Sequence, residues 1–293
     1  MKKILFAIML AMFSTLAFAE NIVITSIQPL YSLTSYLTKG TDIKVHSVFS
    51  SDISMTMSKD SIREEDFDIS VANKAQAVVD IAKIWPEDVI YGKARMTKLG
   101  ILEIDASHPY DEKMTNVFLN DYSNGSVNPY IWTGTKNLVR MANIVARDLE
   151  RLYPKNKAQI EKNVNNFTND LLKLENNVNE RLLSINNSEV ISLSENLQYF
   201  LNDLNIYADY LNYDDITAEN IEKIVTEKGI KVIVSDRWLK KNVIKALKNA
   251  GGEFVIINTL DIPVDKDGKM DPEALLKVYK ENTDNLLDAL SKF

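Results

Sequence analysis

Between Lys155 and Ile185 the chain has no proline or glycine, and apolar residues recur at Ile160, Val164, Phe167, Leu171, Leu174, Val178 and Leu182, in steps of four and three. This spacing predicts one continuous amphipathic helix, roughly 45 Å long at about 1.5 Å per residue. A helix of that length is a rigid strut, so the segments before and after it must form separate bodies held at a set distance. About three heptads with Asn-rich flanks are a poor seam for a coiled-coil dimer, and a monomer is expected.

Both flanks alternate between short apolar runs and helical spacings. Before the strut, Asn21 to Ile27 and Ile43 to Val48 read as strands, with a helix from Leu30 to Leu37 between them. Phe67 to Val71, Val89-Ile90 and Ile101 to Ile104 are further strand candidates, interleaved with a helical stretch from Lys74 to Ile84. An amphipathic helix from Thr135 to Arg151 stops before Pro154, as the residue preceding proline requires. After the strut, strands are predicted at Glu189 to Leu193, Lys231 to Val234 and Phe254 to Ile257. Helices are predicted at Glu195 to Leu204, Ile216 to Glu227, Lys240 to Asn249 and Asp271 to Phe293. Strands alternating with helices imply βαβ units and parallel sheets. The predicted fold is α/β: two Rossmann-like lobes, residues 20–153 and 187–293, joined by one long rigid backbone helix, 154–186, with a ligand cleft between the lobes. In such folds ligands sit at the carboxyl ends of the strands.

The start of the chain stands outside this scheme. Met1-Lys2-Lys3, an apolar run from Ile4 to Phe13 and Ala17-Phe18-Ala19 predict a secretory signal peptide, residues 1–19, cleaved after Ala19. The apolar run is shorter than a membrane span needs. No Cys follows it to carry a lipid, so a soluble periplasmic product that is not membrane-anchored is expected.

Composition removes several classes of chemistry. Among 293 residues there is no Cys and there are two His, with 34 basic residues against 41 acidic and a net charge of −7. Disulfides, thiol nucleophiles and Cys-ligated metal clusters are excluded. The acidic balance, without a basic block, argues against nucleic acid. There is no Gly-x-Ser-x-Gly, Walker loop or Gly-x-Gly-x-x-Gly, and no enzyme is expected. Asp265-Lys266-Asp267-Gly268 resembles part of a calcium loop. With Gly268 sixth, however, the first and twelfth positions are Pro263 and Ala274, neither of them a carboxylate.

One constellation is more specific. Asn128-Pro129-Tyr130-Ile131-Trp132 is followed by the Leu138 to Leu149 helix, Tyr153-Pro154 and the strut with Asn163 and Phe167. Leu193-Ser194 to Tyr199-Phe200 and a terminal helix with Tyr279 and Asn285 complete the pattern. The chain thereby resembles the zinc/manganese-type solute-binding proteins of ABC importers over nearly its whole mature length. That resemblance implies periplasmic capture of a solute between two lobes and delivery to an ABC permease and its ATPase.

The metal positions of the family are altered. Its members hold a divalent cation with up to three His and a carboxylate, ligands that suit zinc and manganese. Matched position by position, the first-lobe Asp-Pro-His falls on Asp52-Ile53-Ser54, the second His on Tyr130, the ligand opening the second lobe on Ser194, and the last Asp on Asn258. An acidic position falls near Ser235 or Asp236. The expected ligand-binding cleft is therefore Ser54, Tyr130, Ser194, Ser235 and Asn258, a neutral hydrogen-bonding lining suited to a small polar molecule or a chelated metal. Two alternatives stay open: a true zinc or manganese site built from displaced ligands such as Asp52, His108 and Asp236, or an accessory scaffold that has lost its ligand. His46, inside a strand, and Met55 and Met57, whose sulfurs would suit Cu(I), are further candidates. A single helix spanning both lobes predicts small lobe motion.

Overall fold

The computed structural model describes residues 20–48, 69–260 and 271–293. The expected signal peptide, Asp52, Ser54, Met55, Met57 and the calcium-like turn at 265–270 lie outside the described residues.

The first lobe is a four-stranded parallel sheet in the order β2-β1-β3-β4, with β1 Asn21–Thr25, β2 Ile43–Ser47, β3 Ala77–Asp80 and β4 Leu102–Asp105. Helices α1 Gln28–Leu37 and α3 Thr135–Leu152 lie against one face, and α2 Ile90–Thr97 packs on the other. The second lobe repeats the plan: β5 Glu189–Ser192, β6 Tyr207–Tyr210, β7 Val232–Ser235 and β8 Glu253–Ile256, all parallel, in the order β6-β5-β7-β8. Its helices are α5 Gln198–Asp203, α6 Ile221–Lys228 and α7 Lys241–Asn249. The two-lobed α/β architecture is thus as expected.

Several local readings are corrected. Residues 74–84 are not a helix; they contain β3, whose Ala77, Val78, Val79 and Asp80 are all buried. A central strand covered on both faces has no alternation, and its apolar run imitates a helix stripe. Val89-Ile90 opens α2 instead of forming a strand, and Ser70–Asn73 is a 3₁₀ turn. The edge strand β6, Tyr207–Tyr210, carries no clear pattern because none of its residues is fully buried. Helix α6 starts five residues after the predicted Ile216, because the Asn220 side chain ties Thr217 N–H and Asp215 C=O into a turn before it.

The strut α4, Lys157–Leu182, is one helix, and its two halves serve different cores. Ile160, Val164, Phe167 and Leu171 pack in the first lobe, whereas Val178 and Leu174 pack in the second. The terminal helix α8, Ala274–Leu290, does the same: Ala274, Leu275 and Val278 join the first-lobe core, and Tyr279, Leu286, Leu287 and Leu290 the second. Its start is tied to α1, where Gln28 Nε2 donates to Asp271 C=O and Ser32 Oγ to Pro272 C=O. Among the described residues two helices, not one, therefore bridge the lobes.

Candidate functional site

The segment from Asn120 to Gly134 makes a further set of contacts between the lobes. Asn128 is fully buried; its Oδ1 accepts from Tyr130 N–H at 3.0 Å, and its Nδ2 reaches across to Glu195 C=O at 2.8 Å. The Tyr199 hydroxyl donates to Asn128 C=O at 2.9 Å and accepts from Asn120 N–H at 2.8 Å. Trp132 Nε1 donates to Thr259 C=O of the second lobe at 2.8 Å. Gly134 is needed here because a Cβ would come within 2.8 Å of Asp203 Oδ2 and 3.2 Å of Tyr199 Cβ. That Asp203 oxygen accepts from Lys136 N–H at 3.0 Å, so a second-lobe carboxylate satisfies the first turn of α3.

This junction forms one wall of a cleft of about 1410 Å³ at the carboxyl ends of the second-lobe strands. Each strand contributes the residues that follow it. After β5 comes Ser194, whose hydroxyl donates to Asp236 Oδ2 at 2.9 Å and also accepts from Asn196 N–H. Asn196 Nδ2 donates to the same Asp236 oxygen at 2.7 Å, while Tyr122 OH, from the first lobe, donates to Asn196 Oδ1 at 2.6 Å. After β7 comes Asp236, whose second oxygen, Oδ1, is buried without a hydrogen-bond partner among the described residues. Asn258, after β8, spends its Oδ1 on Leu260 N–H at 2.8 Å. Tyr210, Tyr213 and Trp238 add aromatic surface, with the Arg237 guanidinium 4.2 Å from the Tyr213 ring centre. Burial, followed by the charges of Asp236 and Glu195 among its neighbours, pushes the Tyr122 phenol up; burial and Glu195 push Tyr210 up to about 12. Both hydroxyls therefore stay protonated and act as donors at neutral pH.

The chain matches the family model of the periplasmic component A of the zinc-uptake complex over residues 23–289. It belongs to this family. No curated protein sequence matches it. Among solved structures it is similar to a mutant of FpvC from Pseudomonas aeruginosa, with a TM-score of 0.70 and 16% identity over 93% of this chain and 100% of that one. It is similar to ZnuA, with a TM-score of 0.69 and 14% identity over 92% and 99%. Zn(II)-bound AdcA from Streptococcus pneumoniae gives a TM-score of 0.68 and 15% identity over 93% of this chain and 58% of that one. At these identities the likeness is one of fold.

Set within the zinc-uptake family, the expected site residues fall in different places. Tyr130, Ser194, Asn258 and Asp236 line one cleft. Ser235 lies beneath it, fully buried, its hydroxyl accepting from Arg237 N–H at 3.1 Å. His108 is exposed on the turn after β4 and is absent from the lining, and His46 is exposed on the edge strand β2. Among the described residues no group of three or more His, Cys, Asp or Glu is placed to hold a metal ion. Sequence reading missed Tyr122, Asn196, Tyr210 and Trp238. For Asn196 and Trp238, which follow β5 and β7, a position after a strand end was the available signal.

A second acidic group, also missed, sits in the first lobe. Asp80 ends β3, Asp105 ends β4 beside it, and Asp88 precedes α2; all three are buried. Ser26 Oγ donates to Asp88 Oδ2 at 2.5 Å, but Asp88 Oδ1 and both Asp80 oxygens lack partners among the described residues. Burial, together with the repulsion of Asp88 and Asp105, raises Asp80 well above the usual carboxylate range, and burial raises Asp88 to about 6.

Proposed function

We propose that this chain is the periplasmic solute-binding component of an ABC importer, exported by a signal peptide ending at Ala19 and acting as a soluble monomer on a permease and its ATPase. The lobes 20–153 and 187–293 close on the cleft, with the long helix between them, and the cargo is a small polar molecule or a metal already wrapped in its own ligands. One observation carries this reading: Tyr130, Ser194 and Asn258, at positions where the family resemblance puts metal ligands, share one roomy cleft and bear hydroxyl and amide groups in place of imidazoles and a carboxylate. The lining as described supplies two carboxylates, Glu195 and Asp236, and no imidazole. Tetrahedral zinc and manganese sites require more strong ligands than that. The exposed position of His108 also weighs against a displaced site made with Asp52 and Asp236. Ser54, with which the first lobe would meet the ligand, completes the proposed lining.

The test is elemental analysis of the purified mature protein combined with thermal shift. The expected result is less than a tenth of an equivalent of zinc or manganese, no stabilisation by either ion, and stabilisation by a polar solute or chelate. One equivalent of tightly held metal, lost on changing His108 or Asp236, would overturn the reading.

A further inference from the structure

The cleft has a charge and surface pattern that selects among polar solutes. Among the described residues its lining carries Asp236 and Glu195 against one cation, Arg237. Among the described residues neither acid has an ion-pair partner within reach, and Arg237 is set against the Tyr213 ring. Asp236 is held in place by two donors on one oxygen, Ser194 Oγ and Asn196 Nδ2, while its buried Oδ1 has no partner. A buried carboxylate oxygen without a donor is costly unless a bound group satisfies it. The same cleft is lined by the rings of Tyr122, Tyr130, Tyr210 and Trp238, the last 69% exposed. Aromatic faces attract cations and offer flat apolar surface to a carbon frame. The cleft, of about 1410 Å³, has room for an organic solute.

Resting on the proposed capture role of this cleft, we infer that its ligand is a small organic cation, whose protonated nitrogen donates to Asp236 Oδ1 while its carbon frame lies among the tyrosine rings and Trp238. Ser194, Asn196 and Tyr122 serve as positioning residues: they orient the carboxylate and leave one oxygen free for the ligand. Tyr122 comes from the first lobe, so the orientation of Asp236 depends on both lobes being in contact.

The experiment is isothermal titration calorimetry and thermal shift on the mature protein with putrescine, spermidine, agmatine and choline as probes. Maltose, citrate, ZnCl2 and MnCl2 are the comparison solutes. At least one amine is expected to bind and to raise the melting temperature. Asp236→Asn is expected to weaken that amine by about 10- to 100-fold, the range for losing a charge-assisted hydrogen bond. Glu195→Gln weakens it less, and Asp88→Asn, outside the cleft lining, leaves it unchanged. Circular dichroism of each variant separates lost binding from lost folding. Tyr122→Phe keeps the ring and removes the donor to Asn196, so a several-fold loss without unfolding marks the positioning role. Binding of maltose or citrate but no amine, or amine binding indifferent to Asp236→Asn, overturns this inference and leaves the cleft as the capture site. Failure of every probe overturns both this inference and the capture role; stoichiometric zinc or manganese binding does the same.

Discussion

Replacing Asp88 by Asn should stabilise the protein at neutral pH, which is unusual for a change inside a core. Asp88 is 2% exposed, one oxygen accepts from Ser26 Oγ and the other has no partner among the described residues. Its pKa rises from 3.8 to about 6 because burial disfavours the charge. At about 1.36 kcal/mol per pKa unit, a rise of roughly two units corresponds to about 3 kcal/mol. A carboxyl whose folded-state pKa lies above its unfolded value gives its full contribution below the unfolded pKa. That contribution is lost as pH rises through the folded pKa, here between about pH 4 and 6. Asparagine keeps the acceptor for Ser26 and cannot ionise. The gap between Asp88→Asn and the parent should therefore open from near zero at pH 4 to about 2–3 kcal/mol at pH 7.5, equal to several degrees in Tm. Urea denaturation at pH 4.5, 6 and 7.5 reads it, and Trp85, whose C=O accepts from Asp88 N–H, is a local fluorophore. A gap independent of pH, or a variant less stable than the parent at pH 7.5, would refute the burial argument.

Other expectations concern the junction between the lobes. Gly134→Ala should cost about 1–3 kcal/mol in urea denaturation, because the new methyl meets Asp203 and the Tyr199 backbone, and helix and strand content should be unchanged by circular dichroism. Tyr199→Phe removes a hydroxyl that accepts from Asn120 and donates to Asn128, for a loss of about 1–2 kcal/mol in the same measurement. Phe167→Ala in the first-lobe half of the strut should cost about 3–5 kcal/mol, since the side chain is fully buried and edge-on to Tyr36. Because α4 and α8 both cross between the cores, spin labels on the two lobes should show a distance change of only a few ångströms on ligand addition; a change of domain-hinge size would contradict the two-helix bridge.

The sequence showed most of the architecture because its strongest signals are long ones. Seven apolar positions at helical spacing define the strut, and the amphipathic pattern from Leu138 to Leu149 defines α3. The terminal helix was also legible, but not its division between two cores, since a single apolar stripe does not say which partner each half meets. Strand β3 was misread because burial on both faces erases the period of two, and β6 was missed because an edge strand has little burial to record. In the cleft, the Asn-Pro-Tyr-Ile-Trp segment located Tyr130, and the Leu193-Ser194 segment located Ser194. The bonds of Asp236 to Ser194 and Asn196 join residues about forty positions apart, and Tyr122 comes from the other lobe. Such pairings follow from strand order, which periodicity does not encode. The buried Asp80, Asp88 and Asp105 were overlooked for a related reason: a lone Asp at a strand end looks like a turn residue until the register sets Asp80 beside Asp105.

Native mass spectrometry of the mature protein, released from the periplasm without chelators, tests the cargo most directly. The predicted result is an adduct with the mass of an organic molecule or intact chelate, retained by the parent and diminished in Asp236→Asn. Protein carrying one bare zinc or manganese ion and no organic adduct would contradict it.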